Sequence, residues 1–356
     1  MRNVNKKSAA VWIVPLMILI ISFVLSACAI GNDVVPTVSP SSGGFSTESP
    51  DDDVTEPESF STENPDDDIA GPDSDGRPTY SLTILATNDI HGHFDTLPEY
   101  LTIIGRIRDE RENVLLLDAG DFFKRGAYEM YRGEIEIDLF NRMGYDALVL
   151  GNNEFKVPGV KGAGSLEASD SQIAHIVSWA EFPVLCGNVT RKDSGAYIQG
   201  TEPYIVRQIG GLNIGIIGVT NMEPADGNLK MAADKVFVPG HEAVAQLLPA
   251  VQQASDIQIV LSHAGILIDS QMENVSAVIG GHDHLKLENF RNAHNIPVTQ
   301  GRGEAKHRLS RLDLFFVLEN NEWVLTDSAN TLYSAEDVPK NMALRQVINA
   351  YTAVGD

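Results

Sequence analysis

From residue 82 onward the chain repeats one device: a short apolar run that stops at side chains able to bind a divalent cation. The runs occupy 82–86, 114–117, 147–150, 184–186, 214–219, 257–261 and 277–279, and short apolar stretches bounded by turns suit strands buried on both faces. Between them, 97–111, 134–143, 171–179 and 241–254 carry helical spacing. Alternation of this kind predicts α/β layers. After residue 296 the segments 307–318 and 323–327 follow without intervening helices, which predicts antiparallel additions to the sheet.

The polar ends of the runs carry the chemistry. They read Asn88-Asp89-Ile90-His91-Gly92, Asp118-Ala119-Gly120-Asp121, Gly151-Asn152-Asn153-Glu154, Ser262-His263-Ala264-Gly265 and Gly280-Gly281-His282-Asp283-His284. In open α/β sheets ligands bind beyond the carboxyl ends of the strands, so these loops are expected to converge on one crevice. Asp and Asn supply oxygen and His supplies nitrogen, a mixed donor set that suits manganese, iron or zinc better than calcium. Two divalent cations about 3.5 to 4 Å apart can acidify a water and clamp a phosphoryl group.

In that order, Asp-x-His, Gly-Asp, Gly-Asn, an isolated His and Gly-His-x-His resemble the signature of calcineurin-like metallophosphoesterases. The versions Asn-Asp-Ile-His-Gly and Gly-Gly-His-Asp-His are most similar to the 5′-nucleotidase branch. The resemblance implies a layered β-sandwich flanked by helices over residues 80–356. It also implies that Asp89, His91, Asp121 and His284 hold one cation and that Asp121, Asn152, His263 and His282 hold the other, with Asp121 as the bridge. A phosphorylated small molecule, by family likeness a nucleotide, is then the expected substrate.

The sequence departs from that family in its third motif. Where the family continues Gly-Asn-His-Glu-Phe-Asp, this chain has Gly151-Asn152-Asn153-Glu154-Phe155-Lys156, so both members of the His-Asp dyad are replaced. An amide cannot carry a proton as an imidazole can. Two outcomes follow: a metal-binding protein of impaired turnover, or a repurposed site in which Lys156, one turn on if a helix starts here, offsets phosphoryl charge. The family's C-terminal nucleotide-specificity domain is expected to be absent, with 341–354 forming a helix similar to the interdomain linker. Substrate choice then falls to 156–171, 221–230 and the surroundings of Arg302, whose guanidinium could pair with a phosphate. His93, His175, His241, His294 and His307 read as structural, His93 being near enough to support a ligand.

Charge decides the remaining questions. The formal net charge is -23, yet residues 1–28 carry three bases and no acid, and 29–79 carry thirteen acids against Arg77 alone. Arg2, Lys6 and Lys7 precede an apolar run broken by Pro15 and ending in Leu25-Ser26-Ala27-Cys28, the layout of an export signal. Leu-Ser-Ala-Cys resembles the lipobox of bacterial lipoproteins, which implies lipid attachment at Cys28 and a place on the outer face of the cell membrane. Residues 29–79 are rich in Ser, Thr, Pro and Asp and repeat Ser46-Thr47-Glu48-Ser49-Pro50 as Ser61-Thr62-Glu63-Asn64-Pro65, the composition of a disordered tether. No basic stripe is present, so no nucleic-acid binding is expected. Cys186, the other cysteine, sits in an apolar run and reads as a buried inert thiol.

Overall fold

The structure, a computed structural model, describes residues 72–124, 126–156, 166–221 and 233–353. The expected export signal, Cys28 and nearly all of the expected tether lie outside the described residues.

Two six-stranded sheets form the centre. The chain supplies β1 (Thr79–Thr87), α1 (Leu97–Glu110), β2 (Val114–Asp118), α2 (Glu134–Met143), β3 (Ala147–Val149), α3 (Leu166–Trp179), β4 (Val184–Leu185) and β5 (Val189–Arg191). It continues with β6 (Tyr204–Ile209), β7 (Leu212–Thr220), β8 (Lys235–Phe237), α4 (Gly240–Ala254), β9 (Ile257–His263), α5 (Ile266–Asp269) and β10 (Ala277–Gly280). The last elements are β11 (Lys286–Arg291), β12 (Pro297–Gly301), β13 (Leu309–Glu319), β14 (Glu322–Tyr333) and α6 (Met342–Thr352). One sheet has the order β14-β13-β1-β2-β3-β4 and the other β11-β12-β10-β9-β7-β6, with β5 and β8 paired apart. In the first, β1 to β4 run parallel and β13 and β14 are antiparallel additions. In the second, β7, β9, β10 and β12 are parallel and the edges β6 and β11 antiparallel.

Strand alternation explains why the sheets stack. Leu82, Ile84 and Ala86 of β1 and Leu115 and Leu117 of β2 point the same way and meet Ile214 and Ile216 of β7, Ile257, Ile259 and Leu261 of β9 and Ile279 of β10. The opposite faces are equally apolar: Leu85, Leu116 and Leu148 pack under α1, α2, α3 and α6, while Ile217, Val219, Val260 and Val278 pack with Ala243, Val244, Leu248 and Val251 of α4. Every parallel strand is therefore buried on both sides, and the layers run helix, sheet, sheet, helix. The expected sandwich flanked by helices is what the chain forms.

Each of the seven expected runs coincides with a strand, and 134–143 is α2 to the residue. α3 begins five positions before its predicted start, and β14 runs on past 327 through polar residues. Residues 151–156 do not start a helix. They close a turn in which the Lys156 N–H donates to the Asn153 carbonyl at 2.9 Å. Among the described residues no helix is long and apolar enough to cross a membrane.

Candidate metal centre

The ligands expected from the sequence occupy the strand ends. Asp89 and His91 follow β1, Asp121 follows β2, Asn152 follows β3, His263 is the last residue of β9, and His282 and His284 follow β10. The structure brings five of them into two overlapping clusters, Asp89-His91-His284 and Asp89-Asp121-His263, each with its ligand atoms within 4.8 Å of one another. Asp89 Oδ1 lies 3.3 Å from His284 Nε2, 3.8 Å from His91 Nε2 and 3.9 Å from His263 Nε2. Asp121 Oδ2 lies 3.3 Å from His263 Nε2 and 3.8 Å from His91 Nε2. His91 and His284 approach to 3.1 Å between their Nε2 atoms. Asn152 and His282 form a neighbouring pair, Oδ1 to Nδ1 at 3.1 Å, and the His282 ring meets that of His263 edge to face. Asp89 is thus common to both clusters, whereas Asp121 belongs to one and reaches toward the other.

The backbone is bent to achieve this. Asp89, His91, Asp121, His282 and His284 all have positive φ, between 50° and 80°, a region sparsely populated by residues with a side chain, although Asp and His enter it more readily than most. Strain of about 1–3 kcal/mol per residue persists only where surroundings over-determine it, and it gathers at functional sites.

The surroundings are visible. Asn88 Nδ2 donates to Asp89 Oδ2 at 2.7 Å and to the Arg302 carbonyl, while its Oδ1 accepts the Gly301 N–H at 2.8 Å. The Glu304 N–H donates to the Asp89 carbonyl at 2.7 Å. Glu154, fully buried, accepts the N–H groups of Asp121 and Gly151 on one oxygen, at 2.9 and 2.6 Å. A side chain at Gly151 would place its Cβ 2.2 Å from Asp121 Oδ1, so only glycine allows this loop so close. Asp118 turns the second loop by accepting the Gly120 N–H at 3.0 Å, and burial pushes its carboxyl up to about 7. His263 Nδ1 is 2.7 Å from the Ala119 carbonyl, which turns Nε2 toward the carboxylates. Neither Asn88 nor Glu154 is singled out by sequence reasoning, although both stand inside the motifs that carry the ligands.

A divalent cation fits this donor set. Asp89 Oδ1 and His263 Nε2 are buried polar atoms that make no hydrogen bond to any described residue. Asp89, His91 and His263 are wholly buried and Asp121 is 3% exposed, so two carboxylates face the imidazoles of His91 and His263 away from solvent, with His284, partly exposed, at the rim. Burial alone would lower the pKa of His263, yet the carboxylates of Asp121 and Asp89 outweigh it and raise it to about 10. The pocket draws positive charge, as a proton or as a cation.

Other sequence expectations resolve simply. Asn153 is buried and turned onto Asp121. Cys186 is fully buried, and burial pushes its thiol up to about 12. His307 is buried between Thr96 Oγ1, 3.0 Å away, and the Glu304 carbonyl. His175 stacks on Trp179. Segments 157–165 and 222–230 of the expected substrate loops lie outside the described residues.

The chain belongs to the calcineurin-like phosphoesterase family, whose sequence pattern matches residues 82–286. It is 28% identical over 281 residues to the trifunctional nucleotide phosphoesterase protein YfkN of Bacillus subtilis, a match covering 70% of this chain and 19% of that protein. It is 30% identical over 242 residues to the 5′-nucleotidase of Rattus norvegicus, covering 59% of this chain and 39% of that one. The chain therefore spans less than half the length of these curated relatives. Of solved structures, the calcineurin-like phosphoesterase YfkN of Bacillus subtilis is similar with a TM-score of 0.65 and 21% identity, over 78% of this chain and 98% of that chain. A 5′-nucleotidase precursor from Thermus thermophilus gives 0.62 and 23% identity, over 77% and 59%. At these identities the structural likeness establishes the fold.

Proposed function

We propose that the protein hydrolyses phosphate esters with two divalent cations, acting on nucleotides outside the cytoplasm while anchored to the membrane through Cys28. The observation that carries the reading is the position of Asp89 Oδ1 near His91, His263 and His284 of both ligand clusters, with no hydrogen bond to any described residue. Cations such as manganese, zinc or iron held there would supply Lewis acidity toward a phosphoryl oxygen and ready deprotonation of water. The chain's own residues do the rest. Asn88 and the His282 N–H fix the Asp89 carboxylate, Glu154 fixes the backbone of Asp121, and buried walls keep bulk water from the carboxylates. The nucleotide preference is supported by the names of the relatives, and the location by the Leu-Ser-Ala-Cys sequence. Arg302, on a left-handed turn whose next residue packs against His284 and Asp89, is the proposed contact for the substrate's phosphate.

A second reading is favoured by one observation. Asn153 replaces the family imidazole and faces Asp121, so a metal-binding lipoprotein of impaired turnover is also compatible with the site. One experiment separates the two. The purified chain is assayed for metal content and for hydrolysis of p-nitrophenyl phosphate, its bis ester and AMP. Metal with turnover supports the first reading, metal without turnover the second, and absence of metal refutes both.

A further inference from the structure

Asn153 holds both oxygens of one carboxylate. Its backbone N–H donates to Asp121 Oδ1 at 2.7 Å, and its side-chain amide donates to Asp121 Oδ2. The orientation of the amide follows from charge, because its own oxygen turned toward Oδ2 would repel it. Asn153 is 1% exposed and Asp121 3%, so solvent does not compete for this contact.

Oδ2 is also the oxygen nearest His263 and His91. Oδ2 belongs to the cluster with His263 and reaches toward His91 of the other, so a second cation held with His91 would draw on the same oxygen, and a carboxylate oxygen offers only two lone-pair directions. With the Asn153 amide on one of them, a single direction remains. The backbone bond to Oδ1 keeps Asp121 in place whether or not the side chain is present.

We infer that the Asn153 side chain competes with the second of two divalent cations for Asp121 Oδ2, so that the site loads one cation readily and the next only by displacing the amide. This rests on the two-cation reading above. Asn153 is a positioning residue here, acting through Asp121. Replacing the family imidazole by an amide has then changed more than proton transfer: it has made occupancy of the full site depend on free cation concentration.

The test uses the full-length chain, stripped with a chelator and titrated with Mn²⁺ alone, followed by electron paramagnetic resonance. In the wild type the six-line signal of an isolated ion should come first, and the broad signal of a spin-coupled pair only at roughly tenfold higher free Mn²⁺, the worth of one such hydrogen bond. In Asn153→Ala, which keeps the backbone bond, the coupled signal should emerge at about tenfold lower free Mn²⁺ than in the wild type. Should Asn153→Ala fail to fold, Asn153→Leu, which fills nearly the same space without a donor, serves with the same expectation. A coupled signal arising at the same free Mn²⁺ in wild type and variant would overturn the competition while leaving the two-cation reading intact. Absence of any coupled signal in either protein at saturation would overturn that reading as well.

Discussion

The backbone N–H of His282 donates to Oδ2 of Asp89 at 2.8 Å, tying the loop after β10 to the loop after β1 across the two sheets. Asn88 Nδ2 donates to the same oxygen at 2.7 Å. Two donors on Oδ2 leave Oδ1 as the ligand atom, aimed at His91, His263 and His284. Asp89→Asn keeps the shape of the side chain and removes its charge. Because Asp89 serves both clusters, the variant should lose both cations rather than one, with an unchanged circular dichroism spectrum. Elemental analysis after dialysis checks this, and retention of one cation per chain would refute the shared role.

Asn88 performs the complementary task of holding Asp89 to the backbone at Gly301 and Arg302. Asn88→Ala strands the buried N–H of Gly301, a cost of about 1–3 kcal/mol where no water replaces the amide, and frees the partly buried Arg302 carbonyl. The melting temperature should fall by several degrees. Cation affinity should weaken about 10- to 100-fold, as is typical when the partner of a metal ligand is lost. Calorimetric titration with Mn²⁺ measures the second effect separately from the first.

Much of this arrangement is legible in the sequence, for a reason that also sets the limit. A buried parallel strand announces itself locally as an apolar run, and the ligands of a strand-end site are its immediate successors, so β1, β2, β3, β9 and β10 come with their polar ends attached. Edge strands β6 and β11 are half-exposed and mixed in composition, and no apolar run marks them. β12 escapes differently. It is wholly buried, but Thr299 and Gln300 enter the core with hydrogen-bond partners, the Asn330 amide and the Gly281 carbonyl, and hydropathy does not register a satisfied polar group. The ligand residues themselves are readable, whereas their division into clusters is not. That division depends on left-handed backbone at Asp89, His91, Asp121, His282 and His284, residue types that do not advertise it.

Burial of His307 gives the fold a pH dependence with a definite sign. Burial, reinforced by the nearby charges of His93 and Arg308, lowers its pKa from 6.5 to about 4 despite the Glu304 carbonyl. Between these values the unfolded chain binds a proton that the folded chain refuses, so stability rises with pH across that window and is lost on acidification. The full loss for this one group is on the order of 3 kcal/mol. His307→Gln should flatten the change in denaturant midpoint between pH 6.5 and pH 4 relative to the wild type. An equal slope in both proteins would show that His307 does not set it.

If Asn153 and Lys156 mark the loss of a proton-transfer dyad from an otherwise intact centre, restoring the pair should restore rate. Asn153 now faces Asp121, and an imidazole is too bulky to copy that contact, so Asn153→His should leave the carboxylate and swing toward the crevice. Lys156 lies on the same turn, its N–H bonded to the Asn153 carbonyl, which places Lys156→Asp where it can orient the new ring. The double variant should hydrolyse p-nitrophenyl phosphate about 10²- to 10⁴-fold faster than the wild type, the range that positioned acid-base groups supply. Lys156→Met alone distinguishes repurposing from loss. A fall in the wild-type rate means that the ammonium has taken over part of the missing imidazole's work, whereas an unchanged rate means that Lys156 has no part in turnover.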